Sequence, residues 1–567
     1  MKLCHRLPWL CVLALICASE FVWARDAAPS PVLGAMKAEL SRSLSSLAKQ
    51  PVAPYFTSYE ITETRSVSVA GSFGKVTASD ENRRRQLNVD LRVGDYRLDN
   101  THQIREGFPS FDFGSRFSLA EVPIEDDPDA IRGVLWYETD RRYKQAIERL
   151  TKVKTNVEVK IEEEDKSADF SRESPEKYYE NPVPVTADRR QWEEKIRKYT
   201  APFAAYSDIY EANAMFSADG ETRWLVNSEG SEIQTSQTYY RLFISAFTKA
   251  DDGMDLPRYE SFFAFTPEGL PDDGAVLKAV GKMIDDLKAL RVAPLVDPYT
   301  GPAILSGRAS GVFFHEVLGH RLEGHRQKNE EEAQTFKKML NQKVLPDIAS
   351  VYFDPTLRRL GNTDLVGAYR FDNQGVKARR VAVIENGVLK SFLMSRSPIE
   401  GFPHSNGHGR NQSGLAPVAR QSNLIVEVSK AVSRSELKNM LIQQVKKENK
   451  PFGLYFEDIE GGFTLTGRVI PNAFNVLPVM VYRIYPDGRE ELVRGVDLIG
   501  TPLTAFSKIV AADDQTGVFG GMCGAESGFV PVAAASPGIL VSQVEVQKKE
   551  KSQERPPILP PPFEARP

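Results

Sequence analysis

Three observations predict an α+β fold with antiparallel sheets and segregated helices. Segments such as YEITETRSVSVAG and RRQLNVDLRVG alternate apolar and polar residues, the period of a half-buried strand. Residues 31–50 and 274–291 repeat apolar residues at helical spacing instead. The dipeptides Asp219-Gly220, Glu229-Gly230 and Asn386-Gly387 punctuate strand runs as hairpin turns. No internal repeat is visible.

Taken in order, residues 1–24 come first: MKLCHRLPWLCVLALICASEFVWA. They combine a basic start (Lys2, Arg6), an apolar stretch from Leu7 to Ala18 and a small residue at Ala24. This is the pattern of a cleaved signal peptide, and Ser19-Glu20 interrupts it too early for a membrane anchor. The mature chain is therefore expected to be periplasmic or secreted. Cys4, Cys11 and Cys17 leave with the signal, so Cys523 remains alone. It is a buried bystander, an intermolecular bridge or a ligand.

Residues 25–291 are expected to form an N-terminal α+β region. After the first helix come the two alternating strands, with a turn at Gly71 to Lys75, and a third strand at YRLDN. A helix follows over 128–150, started by DPDA. The strongly charged 154–190 stretch reads as a helix end and a solvated loop. DRRQWEEKIRKYTAPFAAY is a further helix, leading into hairpins turned at Asp219-Gly220 and Glu229-Gly230. The prolines of VAPLVDPYTGP mark the boundary, and residues 292–547 form a C-terminal domain. It should contain strand AILS, a motif helix, the Asn386-Gly387 hairpin, strand SNLIVEV, helix SRSELKNMLIQQVKKEN and further strands through VMVYRIYPDGREELVRGVDLIG. The charged, proline-rich tail 548–567 is expected to be disordered.

The chain has 567 residues, 26% of them charged, and a formal net charge of -4. That balance argues against an electrostatic nucleic-acid binder. No uncharged apolar run long enough to span a bilayer occurs after residue 30, so no stable membrane anchor is expected.

The chemistry is concentrated in FFHEVLGHRLEGHR, which holds three of the seven histidines. Two metal-binding histidines on one helix face are normally four residues apart. His315 and His320 are five apart, which on an ideal helix separates them by roughly 140°. Either a π-type bulge or unwinding at Gly319 brings them back together, or the pair is no site. Glu316 stands where a metal-activated water would need a base. Cys523 lies in GVFGGMCGAESG, whose glycines let a thiol approach another element. Two imidazoles and one thiolate would leave a coordination position open for water, as in a catalytic zinc site. His325 reads as a surface or supporting histidine. Asp458, Glu457 and Glu460 read as turn and surface groups. In the glycine-rich HSNGHGR loop, His408, Arg410 and Asn411 are candidates for substrate binding and oxyanion stabilisation, with a hydrogen-bonded loop histidine as the alternative. His404 is a weaker candidate.

FFHEVLGHRLEGH, the glycine-rich SFLMSRSPIEGFPHSNGHGRNQSGLAPVARQSNLIVE and the distant MCGAESGFVPVAAASPGILV together resemble the TldD/PmbA family of metalloproteases. The likeness is close over about 292–546 and looser before it. It implies that His315, His320 and Cys523 hold one Zn2+ per chain and that Glu316 activates water, as in the catalytic TldD-like type. Two departures stand out: Val317 replaces a typical alanine, and His325 stands where an acidic residue commonly follows Glu-Gly. The resemblance further implies an N-terminal half for substrate binding and dimerisation and a C-terminal metal-binding half. It also implies a homodimer or a heterodimer with a related chain, and an unfolded or extended peptide paired to a sheet edge. The expected function is a zinc-dependent metallopeptidase. Its rivals are a zinc amidase acting on a small or cell-wall substrate and a non-catalytic scaffold with structural zinc.

Overall fold

The first two predicted strands are one long hairpin. Pro54–Ser72 pairs antiparallel with Lys75–Val93, and Phe73 and Gly74 turn between them at φ 44° and 80°. The structure is a computed structural model that describes residues 28–104, 120–159, 165–468, 474–551 and 555–559. The expected signal peptide lies outside the described residues, as does most of the tail. Of that tail, Lys549 and Lys551 are anchored, Lys551 by an ion pair to Asp252 at 2.6 Å. No helix among the described residues is long and apolar enough to cross a membrane.

The hairpin continues into a seven-stranded sheet through Glu211–Asn227, Glu232–Lys249 and Asp255–Ala264, all antiparallel. Two short strands, Ala120–Glu121 and Lys177–Tyr179, complete it, the latter running parallel to its neighbour. Period two puts Tyr59, Ile61, Val67 and Val69 on one face. Helices Pro31–Leu47 and Pro128–Val159 pack in the cluster of Tyr59 and Ile61, whereas Arg189–Thr200 and Asp273–Val292 pack in that of Val67 and Val69.

Three expectations need correction here. Asp219-Gly220 is not a turn: Gly220 lies mid-strand, paired with Arg65 on one side and Thr238 on the other. A Cβ there would come within 2.6 Å of Val185 Cγ2, so the glycine admits a crossing segment instead of reversing the chain. YRLDN is not a strand, because the Asp99 carboxylate gathers Tyr55, Arg92 and Thr101 around a turn. The charged stretch is a solvated face over 172–190, where no residue is buried, but not at its described start from residue 165. Asp165, Asp169, Phe170 and Ser171 are buried, and the Ser171 carbonyl accepts from Arg396 of the other half at 2.5 and 3.0 Å.

The C-terminal half carries an eleven-stranded, mostly antiparallel sheet. Part of it closes on itself: Tyr299–Leu305, Gly453–Thr464, Phe474–Ile484, Val496–Gly500 and Gly528–Lys548 are paired in a ring. The motif helix, Gly307–Val317, is capped by the Ser306 side chain and packs Val312, Phe313, Phe314 and Val317 into the core shared with these strands. Asn386-Gly387 forms the predicted hairpin, with both residues at positive φ. The stretch after residue 508 holds an unanticipated long hairpin, Ile509–Ala525 with Gly528–Lys548. That hairpin carries Cys523 to the motif helix.

Candidate metal centre

The one-residue excess between the motif histidines is resolved by ending the helix. The α-helix stops at Val317, Leu318 caps it, and Gly319–Leu322 form a 3-10 turn. The tighter turn rotates His320 back toward His315, so their rings meet edge to face with centroids 5.0 Å apart. Gly319 permits this by close approach: a Cβ there would sit 1.9 Å from Gln421 Oε1. The same Gln421 donates its Nε2 to the His315 carbonyl at 3.2 Å, fastening the end of the helix.

Cys523 completes the cluster. Its Sγ lies 3.4 Å from His320 Nε2, and one ligand atom from each of His315, His320 and Cys523 falls within 4.8 Å of the others. All three are buried. Glu316 follows His315 and is buried too, with Oε2 3.9 Å from His320 Nε2. Its carbonyl accepts from Arg321 at 3.0 Å.

A set of charges not singled out in the sequence surrounds these side chains. Glu323 lies 3.5 Å from His320 Nδ1, 2.9 Å from Arg326 and 3.4 Å from Arg420. Arg420 is fully buried and donates to both the Cys523 carbonyl (2.6 Å) and its Sγ (3.2 Å). Burial opposes charge on the thiol, but His320 and then His315 outweigh it and hold Cys523 well below the usual thiol range. Burial likewise opposes the Glu323 carboxylate, and His320, Arg326 and Arg420 bring its pKa down to about 2. The residues fit a thiophilic divalent cation: one buried sulfur biased to thiolate, two imidazoles, and a carboxylate that orients one ring through its second nitrogen. Glu323 had a faint sequence signal, three residues after His320; Arg420 had none.

Other candidates fall elsewhere. His408 is fully buried, with Nδ1 3.1 Å from Asn406 Oδ1 and Nε2 3.1 Å from Ser422 Oγ. Burial pushes its pKa down to about 3, so the ring is neutral and both nitrogens are engaged internally. This is the geometry of a hydrogen-bonded loop histidine, the alternative to an oxyanion donor. Arg410 and Asn411 line a cavity whose wall includes Val530, the cross-strand partner of Cys523. His325 meets Glu526, which also takes Arg326, and so belongs to the outer charges of the centre. His404 is largely exposed. Asp458 is not the expected surface group: it is buried and joins the two halves through Arg258 of the N-terminal sheet (2.8 Å), while Arg308 of its own half lies at 3.3 Å.

Comparison with known proteins places this geometry among relatives. Residues 298–548 match the PmbA/TldA metallopeptidase C-terminal domain, and residues 193–282 match the corresponding central domain. A metalloprotease of Methanothermobacter thermautotrophicus is 27% identical over 57% of this chain and 66% of its own length. One from Archaeoglobus fulgidus is 28% identical over 42% and 51%, and a zinc metalloprotease TldD homolog of Saccharolobus solfataricus is 25% identical over 43% and 51%. The chain thus spans about half to two thirds of the length of these relatives. Among solved structures, TldE of Thermococcus kodakarensis superposes with a TM-score of 0.60 at 14% identity, covering 90% of this chain and 100% of its own. A Thermotoga maritima protein named as a proposed modulator of DNA gyrase gives 0.59 at 16%, covering 90% and 99%. At those identities the structures show a shared fold. With the two domain matches, they lead to one conclusion: this chain belongs to the PmbA/TldD family of metallopeptidases.

Proposed function

We infer that the protein is a zinc-dependent metallopeptidase acting on unfolded or extended peptides, with Glu316 as general base. The observation that carries this reading is the convergence of His315, His320 and Cys523 beside the Glu316 carboxylate. Zinc bound there would supply Lewis acidity and acidify a bound water. Glu316 then takes the water proton on its carboxylate and returns it to the leaving amine. Glu323 fixes the His320 ring through Nδ1, leaving Nε2 for the cation. Arg420, itself fully buried, holds the thiol in place. The relatives named as metalloproteases support a peptidase over a scaffold with structural zinc.

Export through the N-terminal signal and pairing with a second copy or a related chain belong to the same proposal. Incubating the zinc-loaded mature protein with unstructured peptides, followed by mass spectrometry, tests it. Cleavage should stop on chelation. Glu316→Gln should lower the rate by about 10²–10⁴-fold while zinc stays bound. Cleavage that persists unchanged in Glu316→Gln would refute the assignment of the base, and hydrolysis of cell-wall fragments in place of peptides would favour an amidase.

A further inference from the structure

Behind the Cys523 hairpin, a cavity of about 310 Å3 opens between the two halves of the molecule. Its wall next to the metal centre is formed by Met522, Val530 and Pro531, and Val530 is the cross-strand partner of Cys523. Five arginines line it (Arg84, Arg223, Arg358, Arg370 and Arg410), against three carboxylates.

Two of these arginines are buried and form no direct ion pair among the described residues, although Glu60 and Asp372 lie close enough to Arg223 to feel its charge. Arg223, 9% exposed, comes from the N-terminal sheet and donates to the carbonyls of Phe371 (2.6 Å) and Asp372 (3.0 Å). Its Nε has no partner. Arg410, 7% exposed, comes from the C-terminal half, donates to the Gln421 carbonyl at 2.5 Å and lies over the Tyr369 ring. Neither makes an ion pair among the described residues. Each guanidinium carries five donors, so carbonyl bonds leave capacity unused, and burying such a charge unpaired is costly.

The carboxylates present do not fill that role. Asp372 spends its oxygens on the backbone N–H groups of Gln374, Val376 and Gly409, each at 2.9 Å. Glu180 accepts from the Ser236 N–H and faces Arg370. Glu221 sits on the same strand as Arg223, two residues away, and forms no ion pair with it among the described residues. Glu60 feels the Arg223 charge and accepts from Asn373, but burial outweighs both and pushes its pKa up to about 7, which weakens it as a counterion. Asn411, also buried, lines the cavity with an unpartnered Oδ1.

We propose that this cavity is a carboxylate-binding subsite for the peptide substrate, formed by Arg223 from the N-terminal half and Arg410 from the C-terminal half, with Arg358 also in its lining. It rests on the peptidase reading for its substrate, while the arginine geometry stands independently. Its connection to the centre is short: Arg410 binds the Gln421 carbonyl, and the Gln421 side chain binds the His315 carbonyl. A peptide carboxylate could be a C-terminus or an acidic side chain, and guanidinium pairs recognise both alike.

Three versions of one unstructured peptide separate the sources: neutral with an amidated end, neutral with a free C-terminus, and glutamate-containing with an amidated end. Binding is measured by calorimetry on the full zinc-loaded protein carrying Glu316→Gln, and cleavage on the wild type. At least one carboxylate form should bind roughly tenfold or more tightly than the neutral amide, and the form that does so names the source. Arg410→Gln should collapse that advantage, and Arg358→Gln, at an exposed residue that folding tolerates, should reduce it. Equal binding of all three peptides, or an advantage that survives both substitutions, overturns the subsite. Equal cleavage of all three overturns it while leaving the peptidase intact. Carboxylate-selective binding with no cleavage of any peptide supports the subsite and refutes the peptidase.

Discussion

In the N-terminal sheet, buried Glu63 is surrounded by Arg65, Arg83 and Arg85 at 2.6 to 2.9 Å. In the C-terminal half, buried Glu323 is surrounded by His320, Arg326 and Arg420. The first group lies on one hairpin, with Glu63 directly opposite Arg85, and beyond it Arg85 reaches Asp126 and the carbonyls of Pro123 and Glu125. The second draws on the motif turn and a distant loop, and it ends on a thiol and two imidazoles. Buried ion pairs seldom add stability over apolar packing. A network that collects side chains from remote segments and leaves three soft donors facing one point is better explained by a cation than by folding.

Substitutions in the two regions should therefore separate stability from metal binding. The largest expected effect is on the N-terminal core. Trp192 stacks on Phe216 with ring centroids 3.5 Å apart, and Trp192→Ala should cost about 3–5 kcal/mol in denaturant unfolding. Zinc content of the folded fraction should not change.

Glu60 offers a pH-dependent version of the same test. Burial raises its pKa from 4.5 to about 7 in the folded protein. The unfolded chain thus releases its proton first, and stability falls as pH rises from about 4.5 through 7. Glu60→Gln should remove that loss, stabilising the protein at pH 8 by something on the order of 3 kcal/mol and doing little at pH 5. Melting temperatures at the two pH values check it, and an equal shift at both would contradict the assignment.

The smallest of the three is on the metal side. Glu323→Gln keeps a hydrogen bond to His320 and removes the charge, so chelator competition should show zinc affinity weakened by about 10–100-fold. Loss of stability without loss of affinity would reduce the network to a packing feature.

Much of this contrast was legible in the sequence, for identifiable reasons. Strands with strict alternation and helices with periodic apolar faces were found because local pattern fixes them, as at Pro54–Ser72 and Asp273–Val292. Asp219-Gly220 misled because a turn-forming dipeptide was overridden by pairing on both edges of its strand. The long hairpin of Ile509–Ala525 and Gly528–Lys548 was missed because its glycine-rich composition hides strand propensity. At the centre, His315, Glu316, His320 and Cys523 announced themselves by chemistry and spacing. Glu323, Arg420 and Gln421 did not, since their roles arise only when the 3-10 turn, the 409–423 loop and the hairpin meet.

The central claim is that two imidazoles and one thiolate from distant segments share a single ion. Metal analysis of the purified mature protein beside Cys523→Ala tests it most directly. One zinc per chain in the wild type, absent from a folded Cys523→Ala, is the predicted result. Zinc retained in full by that variant would contradict it.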